Sequence, residues 1–360
     1  MRILAASTQG SGHFGPLVPF LGAATRQGHE VLVVGPPTLD PRGFPFRVGE
    51  APPDDELRPV WDSMPRQPPA QAEVLVVGHI FARLNVRAML GPISEAIEEW
   101  RPDLILRANA EYASAIAAEL HGVPQARVGT GLTLVEEGAL AFAAPALEET
   151  REGVVATIAA SPYLTCWPAS ADHGPIAAQR FADPALDAPA SPLPDWWPGD
   201  TRPLVYVTFG SVAAAVPPAA VAYPRALEAV DGLDARVLLT TGHELELEGV
   251  PASVHVERWV DQADVLGQAA AVVSHGGSGT TLGAFAAGVP QVVAPLFADQ
   301  PYNAARVAVV GAGVVSSLGR LRPSLERVLG DPRFRDSALH LVDEMRRQRT
   351  IDEFLEVAFG

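Results

Sequence analysis

Short apolar runs alternate with longer amphipathic stretches along the first half of the chain. Arg2–Ser7 and Glu30–Gly35 are aliphatic enough to be strands covered on both faces, and Pro16–Gly28 has the length of a crossover helix between them. Leu104–Leu106 and Ala126–Val128 repeat the strand pattern, with Tyr112–His121 as the helix between. This is the βαβ alternation of a doubly wound parallel sheet. The alternation breaks over 171–203, where Pro175, Pro184, Pro189, Pro192, Pro194, Pro198 and Pro203 crowd together. That stretch is expected to be an interdomain linker pinned by Trp196 and Trp197; the alternative is an excursion within one domain. Alternation restarts at Leu204–Ser211 and continues through Arg236–Thr240, Val254–Glu257, Ala271–Ser274 and Gln291–Ala294. Two Rossmann-like domains follow from this pattern, over 1–190 (with 171–203 as the Pro-rich linker) and 204–336. A last amphipathic region, 337–360, is expected to pack back on the first domain.

Composition narrows the chemistry. The 360 residues are 48% hydrophobic and carry a formal net charge of -16, which argues against nucleic acid and anionic membranes as partners. All 26 basic residues are arginine, so a P-loop lysine, a Schiff-base lysine and a lysine general base are excluded. Cys166 is the single cysteine, and the nine histidines show no HExxH or His-x-His spacing, so no protein-held zinc is expected. The start of the chain lacks the pattern of a signal peptide, and no run of about 20 apolar residues was found. A soluble cytoplasmic protein is expected, its oligomeric state open to a homodimer.

The most informative stretch is VSHGGSGTTLGAFAAGVPQ, Val273–Gln291. A strand breaks into Gly276-Gly277-Ser278-Gly279, where glycine tolerates positive φ, and continues as a small-residue helix over about Thr280–Ala287. The first turn of such a helix offers free N–H groups and the positive end of its dipole, which suits a phosphate. Ser278, Thr280, Thr281 and His275 add side-chain donors. The alternative is an ordinary tight strand-to-helix turn.

Four stretches, in order, resemble the family 1, GT-B-fold glycosyltransferases of bacterial natural-product biosynthesis. They are Gly10–Pro19 with His13, Thr208-Phe209-Gly210-Ser211, Trp259-Val260-Asp261-Gln262, and His275–Thr281 followed by Asp299-Gln300. The resemblance covers nearly the whole chain and implies two Rossmann-like domains facing each other across a cleft. It implies an inverting, hexosyl-type transfer of a sugar from a nucleotide diphosphate to a hydrophobic acceptor.

Residue by residue, the resemblance gives His275, Gly277, Ser278, Gly279 and Thr280 to the diphosphate, with Ser211 on the diphosphate or acceptor side. Trp259, Val260 and Gln262 fall to the nucleoside, with a core aromatic as the alternative for Trp259. Asp299 and Gln300 fall to the sugar, with a polar helix cap as their alternative. His13 is the general base, at a helix start whose dipole keeps the imidazole neutral near pH 7. The family proline is replaced by Asp261, and Ala108 stands where an acidic partner of His13 is expected. Glu111 and Asn109 are the substitutes within reach; the alternative for Glu111 is a residue of the first helical turn. The segment 36–72 is short for the family, and Phe14, Ile80, Phe81 and Phe142 are expected to line an open acceptor site. Gly283 occupies the position where relatives using uridine donors often carry a glutamate on the ribose, so thymidine-diphosphate sugars are the expected donors. No cofactor and no metal are expected. The competing functions are a sugar-nucleotide epimerase of the same fold and a catalytically silent nucleotide-binding homologue.

Overall fold

Ile3, Leu4, Ala5 and Ala6 have no exposed surface, because the strand they form is covered on both faces. That strand opens a parallel sheet in a computed structural model that describes residues 1–187 and 190–359. The chain divides into two compact units. One comprises Met1–Cys166, His173–Phe181 and the chain from Arg349; the other comprises Trp167–Asp172 and Ala182–Gln348.

In the first unit the strands are β1 (Arg2–Ala6), β2 (Glu30–Gly35), β3 (Phe46–Val48), β4 (Leu104–Ala108), β5 (Gln125–Val128), β6 (Tyr163–Thr165) and β7 (Ala178–Ala182). Their spatial order is β3-β2-β1-β4-β5-β6-β7, with Arg349–Thr350 beyond β7. Ala6 is in register with Val34 on one side and Arg107 on the other. Leu4, Ala6, Val34 and Ile105 form a core with the helices Val86–Trp100 and Ala113–His121. The segment 171–203 therefore is not linker throughout: Ala178–Ala182 is a strand parallel to β6. Both β6 and β7 are too short, and too closely flanked by proline, to show periodicity. Pro189 of the expected linker lies outside the described residues.

One helical run, Gln71–Trp100, is long and apolar enough by length and composition to cross a membrane, although charged residues such as Arg83 and Arg87 interrupt it. Ile80 and Leu84 on it are buried, and Ala82, Val86 and Met89 belong to this core. Arg83 and Arg87 pair with Glu149 and Glu56 at 2.7 and 2.6 Å. Its stretch Val74–Asn85 is π-helical, the wider turn with i→i+5 bonding. A Cβ on Gly78 would stand 2.8 Å from the carbonyl oxygen of Phe142, so glycine is what lets this stretch press against the helix Thr133–Thr150.

The second unit has strands β8 (Leu204–Thr208), β9 (Arg236–Thr240), β10 (Val254–Glu257), β11 (Ala271–Ser274), β12 (Gln291–Val293) and β13 (Gly313–Val315) in the order β10-β9-β8-β11-β12-β13, all parallel. Alternate residues of β8 feed two cores. Val205 and Val207 pack with the helices Ala222–Val230 and Leu321–Gly330; Leu204 and Tyr206 pack with Leu266 and Ala284. Trp196 and Trp197 lie on the latter core, and Trp196 stacks on His255 at 4.6 Å. The expected region 337–360 divides. Helix Arg333–Arg346 belongs to the second unit, where a Cβ on Gly288 would meet Leu339 at 2.9 Å. Only the chain from Arg349 joins the first unit, through Phe354 edge-on to Phe20 at 5.4 Å.

Candidate active site

In an open parallel sheet, ligands bind beyond the carboxyl ends of the strands where the strand order reverses. In the second unit that point lies between β8 and β11, and the loops leaving it are Gly210–Ser211 and His275–Thr280. Gly210 and Gly276 have φ of 76° and 85°, a region favouring glycine. A Cβ on Gly210 would stand 2.9 Å from the His275 ring, and one on Gly277 would stand 2.5 Å from its Nε2. The imidazole thus fills a slot cut by two glycines. Its Nδ1 is sealed from solvent, and burial pushes its pKa down to about 4 against the opposing pull of Asp299. The ring is neutral at pH 7 and can present one N–H.

The helix here is Ser278–Ala286, with Gly277 at the N-cap and no side chain capping it. Its first internal bond runs from Thr281 N to Gly277 O at 3.0 Å, so the preceding amides keep their donors. Gly279 is exposed, and a Cβ there would meet nothing within 4 Å. Ser278 Oγ donates to Asp299 Oδ2 at 2.8 Å, and Asn303 Nδ2 donates to Gly276 O and Asp299 Oδ2 at 2.8 Å each. Asn303 was missed in the sequence, although its i+4 spacing from Asp299 places both on one helix face. Gln300 is buried, and its Oε1 accepts from Leu296 N at 2.7 Å and Phe297 N at 2.9 Å, which braces the loop before it. Within that loop Ala298 has φ of 56°, uncommon for a residue with a Cβ.

Trp259 is 63% exposed, which removes the core-aromatic alternative. Val260 packs partly on the core, and Asp261, in place of the family proline, caps the helix Gln262–Leu266 by accepting from Ala263 N at 2.9 Å. Gln262 Nε2 donates to Thr280 Oγ1 at 3.1 Å, so the Trp259–Gln262 segment is tied to the first turn of the glycine-flanked helix.

In the first unit the order reverses between β1 and β4. His13 lies in the helical turn Ser11–Phe14 after β1, which Gly10 opens at φ of 98°. Asn109 and Glu111 lie after β4, but Glu111 faces inward. It is 2% exposed, its Oε2 accepts from Ser114 N at 2.8 Å, and burial pushes its carboxyl pKa up. Glu111, expected to orient His13, thus places its carboxylate against the amides at the start of the helix Ala113–His121. Arg107, fully buried with its pKa lowered to about 10 by burial and by Arg127, donates to Asn109 O at 3.0 Å and braces the same loop.

The expected acceptor wall also separates. Phe14 and Ile80 are each 2% exposed and are core side chains, not an open lining. Phe81 is half-buried and lies edge-on to His13. Phe142 lines a cavity of about 490 Å³ with Val60, Leu75, Gly78, His79 and Pro145. Among the described residues, no three His, Cys, Asp or Glu side chains cluster as metal ligands.

Residues 224–357 match the family described as "Erythromycin biosynthesis protein CIII-like, C-terminal domain". The elloramycin glycosyltransferase ElmGT of Streptomyces olivaceus is 32% identical over 96% of this chain and 94% of its own length. The chain belongs to the antibiotic and natural-product glycosyltransferases. Like the family it is a nucleotide-sugar-dependent enzyme with the GT-B fold. The crystal structure of the glycosyltransferase SnogD from Streptomyces nogalater matches all of both chains at a TM-score of 0.82 with 26% identity. The glycosyltransferase SsfS6 of Streptomyces sp. SF2575, in complex with thymidine diphosphate, matches in fold at a TM-score of 0.79 with 24% identity, over 99% of each chain.

Proposed function

We propose that this glycosyltransferase inverts the anomeric centre of a thymidine-diphosphate sugar while passing the sugar to a hydroxyl of a hydrophobic acceptor. The observation that carries the reading is the uncapped, glycine-flanked helix start at Ser278 beside a neutral His275, at the strand-order reversal of the second unit. Helix N–H groups and the His275 N–H stabilise the charge that grows on the leaving diphosphate. No metal is then needed for that charge. Asp299, held by Ser278 and Asn303, accepts from sugar hydroxyls. Trp259 gives the base an exposed aromatic face.

The first unit supplies the base and the acceptor site. The acceptor oxygen attacks the anomeric carbon, its proton passes to a His13 ring nitrogen, and the bond from that carbon to the diphosphate oxygen breaks. Attack opposite the leaving group inverts the centre. The half-buried Phe81 ring beside His13 gives a hydrophobic acceptor an apolar neighbour there. The strongly acidic charge fits a small-molecule enzyme of the cytoplasm with no nucleic-acid or membrane partner.

His13→Ala tests this. Turnover should fall by roughly 10²–10⁴-fold, the range of positioned proton transfer, while thymidine diphosphate binds as before. Full activity of that variant on an alkyl alcohol would refute the base role. Product carrying the donor's own anomeric configuration would refute inversion.

A further inference from the structure

We infer that Phe81 is a positioning residue for His13, an inference that rests on the proposed role of His13 as base. The two rings lie 5.4 Å apart, centroid to centroid, with their planes at 86°. That is the edge-to-face arrangement favoured by ring quadrupoles. Such contact favours one plane of the imidazole over others about its Cβ–Cγ bond. The perpendicular ring of Phe81 thus biases the plane in which the His13 nitrogens lie. Held in that plane, the imidazole meets the acceptor oxygen in a constant orientation. Phenylalanine adds no hydrogen-bond acceptor, so what it supplies is shape.

Phe81 is held firmly enough for this. It sits inside the π-helical stretch Val74–Asn85, between Ile80 and Ala82, which are 2% and 0% exposed. Gly78 presses the stretch against the backbone at Phe142, and Arg83 ties it to Glu149 at 2.7 Å. The π turn is wider than an α turn and changes which residues share a face. Val74, Gly78, His79 and Arg83 line the cavity, while Phe81 does not and meets His13 instead. Such turns cost helix stability and recur at functional sites, which fits a segment shaped to bring this ring to that histidine.

The test compares Phe81→Leu, which keeps apolar volume and removes the ring, with Phe81→Tyr, which keeps the ring. The protein is the full chain with isotope-labelled histidine and bound thymidine diphosphate. The His13 ring resonances are identified by their loss in His13→Gln. Phe81→Leu should shift and broaden them, leave His275 and nucleotide affinity unchanged, and lower kcat by about 2- to 10-fold with a polycyclic aromatic alcohol as acceptor. Donor KM should stay constant, and Phe81→Tyr should restore both the resonances and the rate. Unchanged His13 resonances in Phe81→Leu, or an equal kcat loss in the tyrosine variant, would overturn the inference. Should Phe81→Leu not fold, Phe81→Met is read in the same way. A fully active His13→Ala would instead remove the base role itself. An inactive His13→Ala beside a normal Phe81→Leu would remove only the positioning.

Discussion

Glu111 Oε2 accepts the backbone N–H of Ser114 at 2.8 Å, and this bond decides what the residue does. The carboxylate satisfies an amide at the start of the helix Ala113–His121 and is buried there. Glu111→Ala should therefore cost about 1 kcal/mol, as loss of a cap does. Tm should fall by about 2–4 °C. Glu111→Gln keeps an acceptor oxygen and should melt close to the parent. In neither variant should the pH profile of kcat move. Thermal melts and pH–rate curves check this; a moved profile at constant Tm would return Glu111 to the side of His13.

The His275 slot gives a second expectation. Gly277→Ala would put a Cβ 2.5 Å from Nε2, and Gly210→Ala would add a contact at 2.9 Å at a φ of 76°. Either change displaces the ring that faces the diphosphate. Calorimetry with thymidine diphosphate should show affinity weakened by about tenfold or more, the loss of one charge-assisted hydrogen bond. Parent-like affinity in both variants would place the diphosphate elsewhere.

Much of this was legible in the chain, for identifiable reasons. Strands buried on both faces, such as Arg2–Ala6 and Leu204–Thr208, announce themselves as aliphatic runs, and both histidine loops follow such strands. Glycine spacing located the His275 slot because a missing side chain is visible in sequence. What was hidden depends on direction and not on residue type. Glu111 and Asn109 are both plausible partners for His13 by position, yet the inward turn of Glu111 is set by the orphan amide of Ser114. Phe14 and Phe81 are both aromatic and near the loop, and only packing separates the core residue from the one that meets His13. The strand Ala178–Ala182 was masked by the prolines around it.

The depressed pKa of His275 makes a statement about acid stability. Above about pH 6.5 the ring is neutral in both folded and unfolded chains, and the site contributes no pH dependence. Between 6.5 and about 4 the unfolded chain takes up the proton and the folded one does not. Stability should therefore fall with pH across that window, by roughly 3 kcal/mol at its lower end, and no further below it. His275→Gln should flatten this part of the curve. Urea unfolding at steps from pH 7 to pH 4 measures it, and parallel curves for the two proteins would refute the buried neutral ring.

If the helix start at Ser278 supplies the positive potential for the leaving diphosphate, divalent metal is dispensable. Turnover should survive EDTA, and added Mg²⁺ should change kcat by less than about twofold, short of the several kcal/mol a Lewis acid supplies. Activity that vanishes with EDTA and returns with Mg²⁺ would show that the helix and His275 do not suffice.

Gly283 bears on the donor. It lies in the second turn of the same helix, where a Cβ would stand 3.2 Å from Leu266 Cδ1 and 3.7 Å from Gln262 Oε1. A Cβ there makes Leu266 give by a few tenths of an ångström, and it touches Gln262, already bonded to Thr280 Oγ1, at ordinary contact distance. Glycine at this position serves the packing and also leaves no carboxylate to accept from a ribose 2′-hydroxyl. A nucleotide lacking that hydroxyl loses nothing here, whereas a uridine nucleotide would bring a donor with no partner, at a cost of about 1 kcal/mol if it is desolvated. Thymidine diphosphate should therefore bind more tightly than uridine diphosphate, by roughly fivefold. Gly283→Glu should narrow or reverse the preference, with a modest loss of stability as Leu266 shifts. Calorimetry with both nucleotides on both proteins decides it: tighter uridine diphosphate binding by the parent protein would remove the thymidine assignment, and with it the role given to the missing side chain at Gly283.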